Sequence, residues 1–226
     1  MQNRVGLFMK VCLIIVVFFA AFVAAVMFPA GTIHFWQGWL CCAAFCLPTL
    51  FITLYLGKHD PALLERRVSP VELRTQQKWM QSIAGLLFFL GLLVLPGLDH
   101  RFSWSHVPTP FTLCADALII MGFIIVFFVF KSNSFTSRAV EVMQAQKIVT
   151  SGPYGVVRHP MYSGAMLIVV GLPISLDSLW GLIPAGLVCA IIVMRLLDEE
   201  MLLIERLDGY AAYSQTVRWR LIPFVW

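Results

Sequence analysis

Three polar side chains that could bind a ligand, Arg158, His159 and Tyr162, lie close together in the sequence Gly-Pro-Tyr-Gly-Val-Val-Arg-His-Pro-Met-Tyr-Ser-Gly at 152–164. An apolar run follows them directly. Pro160 disfavours helical backbone at the residue before it and is well suited to the first turn of a new helix. The pattern therefore predicts that Arg158 and His159 are held on non-helical backbone at the entrance of a membrane helix. Polar groups are costly there unless they bind something.

A second group of ionisable residues is the sequence Arg-Leu-Leu-Asp-Glu-Glu at 195–200. On a helix, Arg195 and Glu199 lie on one face because they are four residues apart, and Glu200 is turned about 100° further around. The simplest interpretation is an ion pair between Arg195 and Glu199. Glu200 then has no partner close in sequence, so it is either solvated or bound to a ligand.

Two further segments are weaker signals when each is taken alone. The sequence Gly-Tyr-Ala-Ala-Tyr at 209–213 is typical of a helix end followed by an amphipathic turn, and Arg-Trp-Arg-Leu-Ile-Pro at 218–223 is typical of a membrane-interface anchor. A helical hairpin over 161–197 would bring all four segments to one cleft. Arginines, carboxylates, an imidazole and tyrosines suit a zwitterionic ligand. No serine or cysteine nucleophile, metal-ligand set or glycine-rich loop accompanies them, which favours chemistry by alignment of two bound molecules.

The composition predicts a polytopic membrane protein. The 226 residues are 60% hydrophobic and 12% charged, and a soluble domain carries about twice that charge. A bilayer core takes about 20 apolar residues of helix, and the candidate runs are 11–29, 38–57, 81–98, 111–130, 161–176 and 179–197. Only Asp177 and Ser178 separate the last two runs, which predicts a tight hairpin that either crosses the membrane fully or is partly re-entrant.

The basic residues alternate between the connections of these runs. They concentrate at both termini and in two connections. The basic residues of these two connections are Lys58, Arg66, Arg67, Arg74, Lys78, Lys131, Arg138, Lys147 and Arg158. The positive-inside rule then places both termini, 58–80 and 131–160 in the cytoplasm. The net charge of +4 is explained by orientation and headgroup contacts, and no nucleic-acid partner is expected. We expect run 11–29 to be a retained span, because it is long for a signal peptide.

Three other features are assigned structural roles. The six cysteines lie in apolar runs without a C-x-x-C pair, so neither a disulfide nor a metal site is expected. Asp116 lies near the non-cytoplasmic end of its run, where a charge is tolerated. Residues 60–79 are predicted to form an amphipathic segment on the cytoplasmic membrane surface.

The motifs GPYGVVRHPMYSG, RLLDEE, GYAAY and RLIP, in this order, resemble the isoprenylcysteine carboxyl methyltransferase family and its phospholipid methyltransferase relatives. The resemblance covers 131–226, and the sequence at 60–66 is similar to bacterial members. It implies an all-α polytopic membrane enzyme of about six transmembrane helices that uses S-adenosyl-L-methionine. Residues 1–130 would form a scaffold of four spans, and 131–226 the cofactor-binding region. A lipid-like acceptor would enter from the bilayer, and the location would be the plasma membrane of a bacterium.

The resemblance also implies roles for individual residues. The cofactor-binding side chains would be Tyr154, His159, Pro160, Tyr162, Glu199, Tyr210 and Tyr213. The catalytic side chains would be Arg158, Arg195 and Glu200, because the two arginines match those near the reacting carboxylate of a prenylcysteine. Arg195 and Glu200 also fit the spacing of the family's catalytic arginine and glutamate.

Several functions stay open at this point. A carboxylate acceptor needs cations and no base, whereas an amine needs deprotonation, for which Glu200 is the candidate. The arginines favour carboxyl O-methylation over N-methylation of a phospholipid or another amine. An NADPH-dependent membrane reductase, with a similar C-terminal helical layout, and a non-catalytic ligand-binding subunit are the alternatives of other classes. The sequence does not predict the oligomeric state.

Overall fold

All regular structure in the described part of the chain is helical. The computed structural model describes residues 2–68, 75–134 and 148–226, with side chains from residue 10 onward except that of Gln76. In chain order the elements are α1 (Gln2–Ala30), α2 (Trp36–His59), α3 (Pro61–Val68), α4 (Thr75–Leu86), a π-helical stretch (Leu87–Val94), α5 (Leu95–Phe102), α6 (Thr109–Ser132), a 3-10 turn (Gly152–Gly155), α7 (Pro160–Ser175), α8 (Leu182–Arg206) and α9 (Tyr210–Thr216). The all-α class predicted from the sequence is confirmed.

Four helical stretches among the described residues are long and apolar enough to cross a membrane. They are Lys10–Ala30, Trp36–His59, Gln77–Phe102 and Thr109–Ser132, and they correspond to the first four predicted runs. The third consists of most of α4 together with the π-helical stretch and α5. Pro160–Ser175 is a shorter apolar helix. The structure thus supports a membrane protein with four candidate spans.

The start of α7 follows the predicted effect of proline. His159 has φ −125° and ψ 59°, outside the helical region, and α7 begins at Pro160. Close packing on α6 then fixes the position of α7. A Cβ atom added to Gly122 would lie 2.6 Å from the carbonyl oxygen of Gly164, and one added to Gly164 would lie 2.7 Å from that of Gly122. Small residues allow this approach of two backbones, which packs the N-terminal half of α7 against the middle of α6.

The segment predicted as one amphipathic unit over 60–79 contains two helices. Asp60 begins α3, because its Oδ1 accepts a hydrogen bond of 3.0 Å from Leu63 N and a proline follows it at the first helical position. The Leu63 and Leu64 side chains are buried. Residues 69–74 lie outside the described residues, as do Arg138 and Lys147, which contribute to the predicted topology.

A polar network holds the connection between α7 and α8 in place. It lies at the end of the bundle opposite the motif at 152–164. Asp177 accepts hydrogen bonds from Val107 N (2.5 Å) and from Gln37 Nε2 (3.3 Å). Asp99 accepts one from the hydroxyl of Ser178. These buried carboxylates hold α2, α5 and the 176–181 connection together, so α7 and α8 pack side by side. Asp116, which accepts a hydrogen bond from Ser175, also has a structural partner.

Candidate functional site

The C-terminal segment at 218–223 runs directly beside the motif at 152–164. Arg158 N donates to the carbonyl of Trp219 at 2.9 Å, and His159 N donates to that of Arg220 at 3.0 Å. These amides are free to bond outside a helix because the residues before Pro160 are not helical. The Ser163 hydroxyl donates to the Leu221 carbonyl at 2.7 Å. The segment at 218–223, typical of an interface anchor by sequence, therefore forms one wall of the site.

A buried carboxylate lies at the centre of this site. Glu200, near the end of α8, is 4% exposed. Its Oε1 lies 3.0 Å from Arg158 Nη2 and 3.8 Å from His159 Nε2, and its Oε2 accepts a hydrogen bond of 2.7 Å from Arg220 Nε. A buried charge is tolerated when it is paired and hydrogen-bonded. The partners that the neighbouring sequence lacks are thus supplied by two other segments of the chain.

These partners decide the ionisation of Glu200. Burial by itself would raise the pKa of the carboxyl, but His159, Arg220 and Arg158 together outweigh burial and lower the pKa from 4.5 to about 2. Glu200 therefore stays ionised at physiological pH. It is a poor proton acceptor there, because an effective general base has a pKa near the working pH.

Arg195 is connected to Glu199 through a tyrosine. Arg195 Nε donates to the hydroxyl of Tyr162 at 3.2 Å, and this hydroxyl donates to Glu199 Oε2 at 2.5 Å. Arg195 Nη1 also donates to Gln77 Oε1 at 2.9 Å, and the Gln77 amide donates to Asp198. The Gln77 side chain is fully buried. This chain of hydrogen bonds fixes the Arg195 guanidinium from two sides, α7 and α4.

Two tyrosines of α9 cover the motif. Gly209 has φ +84°, a conformation that glycine adopts without strain, and α9 begins at the next residue. The Tyr210 hydroxyl lies 3.5 Å from His159 Nε2, and the Tyr213 hydroxyl donates to the carbonyl of Tyr154 at 2.7 Å. Both rings are buried. The turn at Gly209 thus brings α9 back over the 3-10 turn and the start of α7.

The hydroxyls of Tyr154 and Tyr213 are neutral hydrogen-bonding groups. Burial raises the pKa of each to about 12. Asn133 Nδ2, just after α6, donates to the Tyr154 hydroxyl at 3.1 Å. The tyrosines can therefore orient a ligand but do not add charge to the site.

The structure brings the predicted site residues into one cluster at one end of the bundle. The first group surrounds Glu200 and contains Arg158, His159 and Tyr210, and the second surrounds Arg195 and contains Tyr162 and Glu199. Glu199 and Glu200 join the two groups through the backbone of α8.

Two atoms in the centre of the cluster have no hydrogen-bond partner among the described residues. They are Arg158 Nε and Glu200 Oε1, and both are buried. Glu200 Oε1 is nevertheless ion-paired with Arg158 Nη2 at 3.0 Å. An unsatisfied buried polar atom costs about 1–3 kcal/mol. Arg158 Nε can thus still donate a hydrogen bond to a ligand, and Glu200 Oε1 can still accept one.

Two residues of the site were not predicted as site residues. Arg220 lies in a segment that belongs to the motif pattern, RLIP, so its position could have been inferred from its neighbours. Gln77 carries no comparable signal, because it is one of several glutamines near the start of α4. Its burial against α8 follows only from the packing of the third span.

One comparison with known families finds a match. Residues 111–208 match the family model described as phospholipid methyltransferase. This part of the chain resembles the phospholipid methyltransferases. The recognition of an integral membrane methyltransferase family from the motifs is thereby confirmed, and an enzymatic methyltransferase function is supported. No curated protein matches the chain.

The matched phospholipid methyltransferase region extends from α6 to the end of α8. It contains the motif at 152–164 and the carboxylates at 195–200. Tyr210, Tyr213 and Arg220 lie beyond it, and Gln77 precedes it. The cluster is therefore completed by residues on both sides of the matched region.

Proposed function

We propose that this protein transfers a methyl group from S-adenosylmethionine to a lipid-like acceptor, with a carboxylate as the favoured acceptor group. The observation that carries the proposal is the buried Glu200, held by Arg158, Arg220 and His159 beside the Arg195 group. Such a concentration of buried charge is costly for a purely structural helix end and is typical of ligand sites.

The cluster fits the zwitterionic end of S-adenosylmethionine. The free hydrogen-bonding positions of Arg158 Nε and Glu200 Oε1 match a carboxylate and an ammonium group on one ligand. Tyr210 and Tyr213 would then cover the cofactor from α9, and His159 and Tyr162 would line its pocket. When bound, this cofactor supplies a methyl group that is already activated for transfer.

The protein's own residues would act mainly by alignment and by exclusion of water. Good alignment of two reactants contributes roughly 7–11 kcal/mol toward lowering a barrier. Arg195 is oriented by Tyr162 and Gln77, so its guanidinium is a fixed cation beside which an acceptor carboxylate would bind. Such an acceptor needs no general base, which agrees with the low pKa of Glu200.

N-methylation of a phospholipid amine is the second candidate. The description of the matched family model favours it. It requires the removal of a proton from the acceptor amine, and Glu200 with a pKa of about 2 is poorly suited to that step.

We further propose about six transmembrane helices, with α7 and α8 as a hairpin and the site at the cytoplasmic face of a bacterial plasma membrane. The basic residues Lys58 and Lys131 end α2 and α6, which supports a cytoplasmic location for those ends. The hydrogen bonds from Gln77 to α8 and from Asn133 to Tyr154 join the site to the same end of the bundle. An acceptor lipid could then enter the site laterally.

The test is incubation of membranes containing the full chain with methyl-labelled S-adenosylmethionine and native lipid extract. We expect label in a lipid that releases labelled methanol in alkali, because carboxyl methyl esters are hydrolysed by base and N-methyl groups are not. Label that is stable in alkali would indicate that the acceptor group is an amine and not a carboxylate. The proposal would be overturned if wild-type membranes contained no more labelled lipid than Arg195→Ala membranes.

Ligand-induced thermal shift separates the classes of function. Stabilisation by S-adenosylhomocysteine, reduced in His159→Ala, is the expected result. Stabilisation by NADPH alone would indicate a reductase. Stabilisation by neither ligand would favour a non-catalytic subunit.

A further inference from the structure

A groove of about 480 Å³ lies away from the candidate site, between the cytoplasmic halves of α1 and α2 in the proposed orientation. Its lining comes from α1, α2 and α3, whereas the site is built from α4, α7, α8 and the C-terminal segment. The walls are mainly apolar, and the lining residues include Val16, Leu54, Gly57, Lys58 and Leu64. A volume of this size is sufficient for a small-molecule ligand.

The groove has an apolar body, and Lys58 is the charged residue that lines it among those with described side chains. Val16 is 64% exposed and Leu54 is 54% exposed, so these walls face the hydrocarbon of a bilayer if α1 and α2 span it. Lys58 is in the last turn of α2 and is exposed. No carboxylate pairs with it among the residues that the structure describes. Its ammonium is therefore available at the depth of the lipid headgroups.

We propose that the groove binds one acyl chain of an anionic phospholipid, with the lipid phosphate at Lys58. Charge complementarity selects the occupant, because the Lys58 ammonium at the end of an apolar groove favours a net negative headgroup over a zwitterionic one. Leu64 of α3 lies across the same end of the groove and is buried. This site is independent of the proposed methyl transfer.

The test is a lipid titration of the purified full chain in neutral detergent, followed by native mass spectrometry. The probes are phosphatidylglycerol and phosphatidylcholine with the same acyl chains. We expect one saturable site that binds phosphatidylglycerol about fivefold more tightly. In Lys58→Glu this preference should disappear. The matched control is Lys131→Glu, which changes an exposed lysine in the last turn of α6 and should keep the preference.

A second variant blocks the groove without changing charge. A Cβ atom at Gly57 would meet only Leu64 Cδ2, at 3.6 Å, so Gly57→Leu fits on the helix and fills the groove. We expect it to bind neither lipid at this site. Gly186→Leu is the control, since a Cβ atom there meets nothing within 4 Å on an exposed part of α8.

Three outcomes would overturn the proposal. Equal loss of preference in Lys58→Glu and Lys131→Glu would indicate diffuse surface charge. Equal affinity of the wild type for both lipids would remove the headgroup contact. Unchanged lipid binding by Gly57→Leu would exclude the groove. If Gly57→Leu fails to fold, as judged by circular dichroism, the two lysine variants still decide the question.

Discussion

At the scale of single residues, the ionised Glu200 is the feature that organises the site. Two arginines and a histidine from two other segments of the chain converge on it. Removal of one member of a buried ion pair leaves the other charge without compensation. Glu200 is thus expected to stabilise the fold as well as to contact a ligand, and the two contributions can be measured separately.

The neutral variant Glu200→Gln should lower the stability of the protein. It leaves Arg158, whose side chain is 8% exposed, without its carboxylate partner, at a cost of about 3 kcal/mol. Thermal unfolding in detergent measures the change. Glu205→Gln, at an exposed position of the same helix, is the control. Equal melting temperatures for the two variants would contradict a buried ion pair at Glu200.

The pKa of Glu200 also predicts the direction of a pH effect. The folded pKa of about 2 lies below the ordinary value of 4.5, so the stabilisation is fully present above pH 4.5 and is lost as the pH falls toward 2. Melting temperatures between pH 6 and pH 2 should therefore fall more steeply in the wild type than in Glu200→Gln. Parallel curves would show that Glu200 does not have a lowered pKa.

Arg195 is expected to serve transfer more than cofactor binding. In Arg195→Ala, the methyl-transfer rate should fall by about 10²–10³-fold because a fixed cation facing the acceptor is lost. Affinity for S-adenosylhomocysteine, measured by calorimetry, should be nearly unchanged. Arg206→Ala, at an exposed position near the end of α8, is the control. A parallel loss of rate and affinity would assign Arg195 to the cofactor instead.

At the scale of elements, the start of α7 decides whether the C-terminal segment can pair with the motif. Because α7 cannot extend through His159, the amides of Arg158 and His159 bond to the carbonyls of Trp219 and Arg220. The same interruption places the Arg158 side chain toward Glu200. A helix terminus defined by one proline thereby joins two parts of the chain that are distant in sequence.

Pro160→Ala should let α7 extend backward and release this pairing. We expect faster hydrogen–deuterium exchange in 218–223 and weaker binding of S-adenosylhomocysteine. Pro173→Ala is the matched control, since Pro173 lies inside the same helix at its other end. Unchanged exchange in 218–223 would mean that the pairing does not depend on the proline.

At the scale of the whole molecule, the bundle has two polar ends with different roles. One end contains the Glu200 and Arg195 groups, and the other contains the hydrogen-bonded carboxylates Asp99 and Asp177. The second end is internally satisfied and holds the helices together. The first contains buried polar atoms without a hydrogen-bond partner among the described residues, so this end is suited to a ligand.

The proposed orientation predicts which exposed positions react from each side of the membrane. In a variant whose six native cysteines are replaced, Ala62→Cys and Glu205→Cys should react with a membrane-impermeant thiol reagent only from the cytoplasm. Thr109→Cys, at the start of α6, should react only from outside. All three positions are exposed. Labelling of Ala62→Cys and Thr109→Cys from the same side would refute the alternation of spans.

The sequence by itself determined the helical class, the four long apolar stretches and the start of α7, because these depend on composition and on steric effects between neighbouring residues. The predicted hairpin over 161–197 also brought the motif segments to one cleft. The tertiary structure decided which partners they have. Glu200 is paired with Arg158 and Arg220, and Arg195 is oriented by Gln77. Such partners come from segments far apart in the chain, and only the packing of the helices brings their side chains within bonding distance.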